Sequence, residues 1–194
     1  MGKSTFIACL FLTATALAQD VRSVEAVEFA AYAGDWHELQ RVPNRFQYDK
    51  VTSGFGRCED TVAHYESRDD GKITVINTCT RIDEKGTRKQ EVAQAVASVV
   101  EGSAGARLKV NFTGLAVLRW LGVGNGDYWV LGLGPRDSQG RYSWALVGEP
   151  SRQYGWILAR SPELSPAVLQ TIFQLAEKNG YARSAFTAAR LAPN

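Results

Sequence analysis

Histidine occurs only twice in the 194 residues, at His37 and His64. No H-E-x-x-H, C-x-x-C or G-x-S-x-G occurs anywhere. The spacings used by zinc hydrolases, redox dithiols and serine hydrolases are therefore missing. Metal ligands are scattered rather than clustered, so neither a metal nor a cofactor is expected, and the chain does not read as an enzyme. Charge of one sign is lacking as well. Lysine and arginine total 22 against 20 acidic residues, with no basic stripe, which argues against nucleic acid as a partner. No apolar run reaches the roughly 20 residues of a membrane-spanning helix. Linkers, repeats and low-complexity tracts are also missing. The one glycine-rich stretch, GVGNG (122–126), leads into a strand pattern, so it lacks the helix N-terminus that phosphate sites use.

What is present begins with a leader. A short basic start, MGKS, precedes the apolar TFIACLFLTATALA, which ends on Ala16-Leu17-Ala18, an A-x-A cleavage pattern. Residues 1–18 are expected to be a signal peptide and 19–194 a single exported domain, periplasmic or secreted. Cys9 lies inside the apolar run, too early for a lipid-anchor cysteine, and should leave with the leader. Two cysteines then remain, Cys58 and Cys79. An even pair in an exported protein favours a disulfide.

The dominant hydrophobic period is two. RLKVNF sets Leu108, Val110 and Phe112 on one face and Arg107, Lys109 and Asn111 on the other, the pattern of a half-buried strand. Eight strands are predicted at about 34–41, 57–66, 72–80, 89–100, 106–113, 127–133, 141–148 and 154–160, split by Gly, Pro, Asp and Ser. Even spacing of this kind suits an antiparallel sandwich or an up-and-down barrel. A helical turn fits within 24–34, and a last short strand fits about 184–190. One good helix follows Ser165. That serine can cap it, Pro166 suits its first turn, and Gly180 suits its end. Val168, Leu169, Ile172, Phe173, Leu175 and Ala176 form its apolar stripe, which should dock outside the sheet.

The cysteines bear on this layout. SRDDG (67–71) reads as a hairpin turn. In a hairpin centred near Arg68 and Asp69, Cys58 and Cys79 face each other on neighbouring strands, close enough to bridge. The rival is a reactive Cys58 thiol near His64, but Glu59 and Asp60 would raise its pKa rather than lower it.

Gly34-Asp35-Trp36 resembles the G-x-W signature of lipocalins. GDWHELQRVPNRF (34–46) resembles the opening strand and loop of the bacterial lipocalin branch close to apolipoprotein D. YESRDDGKITVINTC, YSWALVGEPSRQYGWILARSPEL and SPAVLQTIFQLAEKNGY resemble the next hairpin, last strands and C-terminal helix of that branch. The resemblance implies an all-β fold, an eight-stranded antiparallel up-and-down barrel with the helix packed outside. It also implies a structural role for Gly34, Trp36 and Arg160, with Arg160 packed across the Trp36 ring at the closed end.

A barrel of eight strands can hold one small ligand. The resemblance implies a fatty acid, lysophospholipid or phospholipid, bound for transport or storage. Leu108, Val110 and Phe112 form one inward set by parity. Tyr65 with Ala63, and Tyr142 with Trp144 or their neighbours, are further lining candidates. The alternative is that these side chains simply fill the core. A sequestering protein for an antibiotic, tetrapyrrole or isoprenoid would carry the same barrel, as would a lipocalin-type isomerase. The segment TGLAVLRWLGVG (113–124) is long and apolar for the fifth connection, which the resemblance puts at the open end. There it could touch a membrane surface, with Arg119 meeting a lipid phosphate or a fatty-acid carboxylate, or it could bury in a homodimer. Outer-membrane association follows if the first of these holds.

Overall fold

The computed structural model describes residues 20–44, 47, 57–83, 85–112 and 126–189. The leader with Cys9, and the whole apolar segment 113–124 with Arg119, lie outside the described residues.

The chain opens with a single helical turn, α1 (Phe29–Tyr32), followed by β1 (Gly34–Arg41), β2 (Arg57–Ser67), β3 (Ile73–Ile82) and β4 (Arg88–Val99). β5 (Arg107–Phe112), β6 (Gly126–Leu133), β7 (Trp144–Gly148) and β8 (Gly155–Ala159) complete the barrel. Then come α2 (Pro166–Lys178), a 3₁₀ turn (Arg183–Ala185) and β9 (Thr187–Ala188). The strands pair antiparallel in the order β2-β3-β4-β5-β6-β7-β8-β1, and β1 returns to pair with β2. That closure removes every edge but the one capped by the two-residue β9, which pairs with β1.

All eight expected strands are present, with ends shifted by a few residues. β7 starts at Trp144 because Tyr142 makes only an isolated bridge to Arg136, and the Ser143 N–H is taken by the Pro135 carbonyl at 3.0 Å. Helix α2 forms as its caps predict. Ser165 Oγ accepts from the Val168 N–H at 3.3 Å, and Gly180 takes φ +78° while Tyr181 N–H returns to the Ala176 carbonyl at 3.0 Å.

Two apolar layers result. Trp36, Tyr65, Val75, Val110, Val147 and Leu158 belong to the barrel interior. Ile172, Phe173 and Ala176 of α2 press on Trp144, Leu146 and Ile157 from outside. Each fully buried Ile or Phe contributes about 1.5–3 kcal/mol, so this second layer holds the helix far more firmly than its propensity would. Gly132 permits the approach, because a Cβ there would collide with Leu175.

The β2–β3 register corrects one expectation. Ser67 pairs with Ile73, so the hairpin centres on Asp70, with Gly71 at φ +74°. A bulge between Glu59 and Val62, where Asp60 adopts φ +50°, shifts the pairing again. Cys58 therefore stands opposite Arg81, and Cys79 opposite Glu91 of β4. The Cys58–Cys79 disulfide still forms, along the diagonal, with the Cα atoms 5.6 Å apart. That separation is ordinary for a bridge.

Candidate functional site

The closed end is built around Trp36. Its indole is fully buried, and its Nε1–H donates to the Tyr32 carbonyl at 2.8 Å. Arg160, just past β8, lies over the ring with Cζ 3.8 Å from the centroid. Its guanidinium also donates to the carbonyls of Asp35, Tyr32 and Ala33 at 2.5, 2.9 and 2.8 Å. Arginine thereby satisfies the carbonyls left open where α1 ends and β1 begins. Gly34 stands at that junction with φ +88°, a conformation that strongly favours glycine. Space is not the constraint, since a Cβ there would meet the Arg160 guanidinium at an ordinary 3.6 Å.

Beyond this plug lies a cavity of about 250 Å³ inside the barrel. Ala63, Val75, Val110, Phe112, Trp156 and Leu158 supply most of its apolar wall. Polar groups interrupt it: Glu38 of β1, Thr61 and Tyr65 of β2, Asn77 of β3, Tyr128 of β6, and Gln47.

These polar groups are arranged in two sets. On one wall, Glu38 accepts from Arg41 Nη1 at 2.6 Å and from Gln47 Nε2 at 2.9 Å, while Arg41 Nη2 donates to the Cys58 carbonyl at 2.6 Å. Glu38 and Arg41 are both buried. Desolvation pushes the Glu38 carboxyl above its ordinary value, against the opposing pull of Arg41 and Gln47. A second pair, Arg81 with Glu91, joins β3 to β4. The other set is a chain of phenols. The Tyr32 and Tyr128 hydroxyls are 2.6 Å apart, and Tyr128 and Tyr65 are 2.9 Å apart. Burial pushes the Tyr65 phenol up to about 12, and those of Tyr32 and Tyr128 well above their usual value. All three stay protonated at neutral pH.

The structure brings together some of the residues singled out from the sequence and separates others. Tyr65, Val110 and Phe112 line the cavity. Leu108 belongs to the interior core but is not part of the cavity wall. Tyr142 sits at the closed end, where its carbonyl accepts from Arg160 Nε at 3.3 Å. Trp144 is a correction: it faces α2, and its neighbours Ala145 and Val147 face inward. β7 is buried on both faces, so hydrophobic alternation carries no sign of which side is which. Arg119 lies outside the described residues.

The inward Glu38, Gln47, Thr61, Asn77 and Tyr128 were missed. Counting by twos from Trp36 reaches Glu38, and from Tyr65 reaches Thr61, but a polar residue in a strand ordinarily reads as solvent-facing. Cys58 is held in the disulfide. His64 is half-exposed on the outer face, 2.6 Å from Asp35. Neither is placed to act in the cavity. Among the described residues, no group of three or more His, Cys, Asp or Glu could hold a metal ion.

Comparisons with known proteins agree with this architecture. A family profile described as a lipocalin-like domain matches residues 27–190. Temperature-induced lipocalin-1 of Arabidopsis thaliana is 31% identical over 163 residues, covering 84% of this chain and 78% of that protein. The outer membrane lipoprotein Blc of Escherichia coli K12 is 33% identical over 157 residues, covering 80% and 74%. Apolipoprotein D of Macaca fascicularis is 32% identical over 134 residues, covering 69% and 60%. Among solved structures, lobster apocrustacyanin A1 superposes with a TM-score of 0.56 at 12% identity, over 92% of this chain and 94% of that one, a likeness of fold alone.

Proposed function

This chain belongs to the lipocalin family, and on that premise we propose that its barrel carries or stores a small apolar ligand of the acyl-lipid class. The observation that supports the reading is the cavity itself. A barrel packed solid with Tyr65, Val110 and Phe112 would leave no space between them, whereas about 250 Å³ remains. That is just under the roughly 300–1,000 Å³ of pockets for drug-sized ligands, space for a single chain or a compact ring system. Each methylene moved there from water gains about 0.8 kcal/mol, so affinity needs few polar contacts.

A carrier role also fits the chemistry of the wall. Its carboxylates are already held, Glu38 by Arg41 and Gln47, Asp127 by Lys109 and Glu149 by Ser151, and the phenols are neutral. The disulfide is what an oxidising, exported location permits. The bacterial relatives named outer membrane lipoproteins support a place in the cell envelope or outside it. Residues Phe112 and Gly126, which bound the apolar segment, both line the cavity.

The test is titration with a fluorescent fatty acid, in the natural protein and in an Ala63→Phe variant that fills the space. Saturable one-to-one binding that the variant abolishes, with the fold retained by circular dichroism, is the expected result. Equal binding in both would place the ligand elsewhere and refute the reading.

A further inference from the structure

The three linked phenols contain one hydrogen-bond donor too many. Each hydroxyl has a single proton, and two bonds join the three of them. One proton is therefore always left over. It does not reside on Tyr32, which is 2% exposed and stands outside the cavity wall. A free proton there would be buried without an acceptor. Tyr32 then donates to Tyr128, and the surplus proton belongs to Tyr65 or Tyr128, both of which line the cavity. Burial keeps these phenols protonated, so the donor persists across the physiological range.

A second, independent feature points the same way. Thr61 lines the same cavity, is 3% exposed, and its Oγ1 meets no hydrogen-bond partner among the described residues. The Asn77 amide lies on the neighbouring strand, beside Ala63. Buried polar groups left unmet cost about 1–3 kcal/mol each, so an all-hydrocarbon occupant would be a poor match. The Glu38 carboxylate makes no such demand, because Arg41 and Gln47 already occupy its oxygens.

We propose that the cavity takes its ligand oxygen first: an apolar chain or ring whose leading end carries a neutral oxygen, as a hydroxyl or carbonyl, that accepts from the Tyr65–Tyr128 pair. This rests on the ligand-carrier reading and sharpens it. A plain fatty acid presents a methyl group to the phenols. An ω-oxygenated one presents an acceptor, with its carboxylate left toward the open end.

The test compares dodecanoic acid with ω-hydroxydodecanoic acid by calorimetry, in the natural protein and in a Tyr65→Phe/Tyr128→Phe variant. In an apolar pocket the hydroxyl is a handicap. Here the ω-hydroxy acid should bind at least as tightly as its parent. The variant should shift the preference toward the parent about tenfold, with circular dichroism and urea unfolding checking that it folds. If the ω-hydroxy acid binds tenfold or more weakly in the natural protein while dodecanoic acid binds well, the oxygen-first proposal fails and the carrier reading stands. If the natural protein favours the ω-hydroxy acid and the variant favours it equally, the phenols do not read the oxygen and the proposal fails. If neither acid binds, the carrier reading fails and takes this proposal with it.

Discussion

Arg160 lies flat over Trp36, its Cζ 3.8 Å from the ring centroid, while the same guanidinium collects the carbonyls of Asp35, Tyr32 and Ala33. One side chain thus plugs the barrel and ends α1. A cation–π contact is worth about 0.5–2 kcal/mol and a hydrogen bond to a charged group about 1.5–3. Arg160→Ala should cost about 2–4 kcal/mol in urea unfolding, with ligand affinity changed less than threefold. Gly34→Ala should cost about 1–2 kcal/mol through its positive φ alone. An Arg160→Ala variant that keeps full stability but loses ligand would reassign the residue to the site.

The disulfide closes a sequence separation of 21 residues. Chain-entropy arguments assign a loop of this size about 3 kcal/mol. Cys58→Ser/Cys79→Ser should lose about 2–4 kcal/mol, and adding reductant to the natural protein should lower its melting temperature to the variant's. An insensitive melting temperature would contradict the bridge.

The phenol chain predicts an alkaline weakness. Tyr65 has an unfolded value of 10.0 and a folded value of about 12. Its contribution is therefore complete below pH 10 and is lost as pH rises from 10 through 12. At pH 11 the loss from this residue is on the order of 1 kcal/mol. Urea unfolding at pH 8 and pH 11 should show a fall in stability that is smaller by that amount in Tyr65→Phe. Equal falls would mean that the phenol is solvated.

The outer core predicts a separation of stability from binding. Ile172 is fully buried against the barrel wall. Ile172→Ala should cost about 2–5 kcal/mol while leaving fatty-acid affinity within twofold. A proportionate loss of affinity would mean that α2 shapes the cavity.

How far the sequence could be read depended on whether a strand has a wet side. Arg107, Lys109 and Asn111 mark the outer face of β5, so Leu108, Val110 and Phe112 could be assigned inward from the pattern alone. β7 has no polar face, so its pattern leaves Trp144 and its neighbours as alternatives, and it is the neighbours Ala145 and Val147 that face inward. The α2 caps were legible because Ser165 acts through its own hydroxyl, and Pro166 and Gly180 through their own backbone, on residues adjacent in sequence. The cysteine pair was legible, but its register was not. The bulge at Asp60 leaves no composition signal, and its positive φ is adopted by a residue other than glycine. The polar lining was hidden for the opposite reason. Glu38, Thr61 and Tyr128 point inward, against the rule that makes alternation readable.

The central claim is that the barrel is hollow and occupied by an acyl ligand, and native mass spectrometry of the purified mature protein tests it most directly, followed by organic extraction and lipid analysis of whatever co-purifies. A one-to-one adduct of lipid mass, lost in Ala63→Phe, is the predicted result. A protein that is empty as isolated and also takes up no added fatty acid would contradict it.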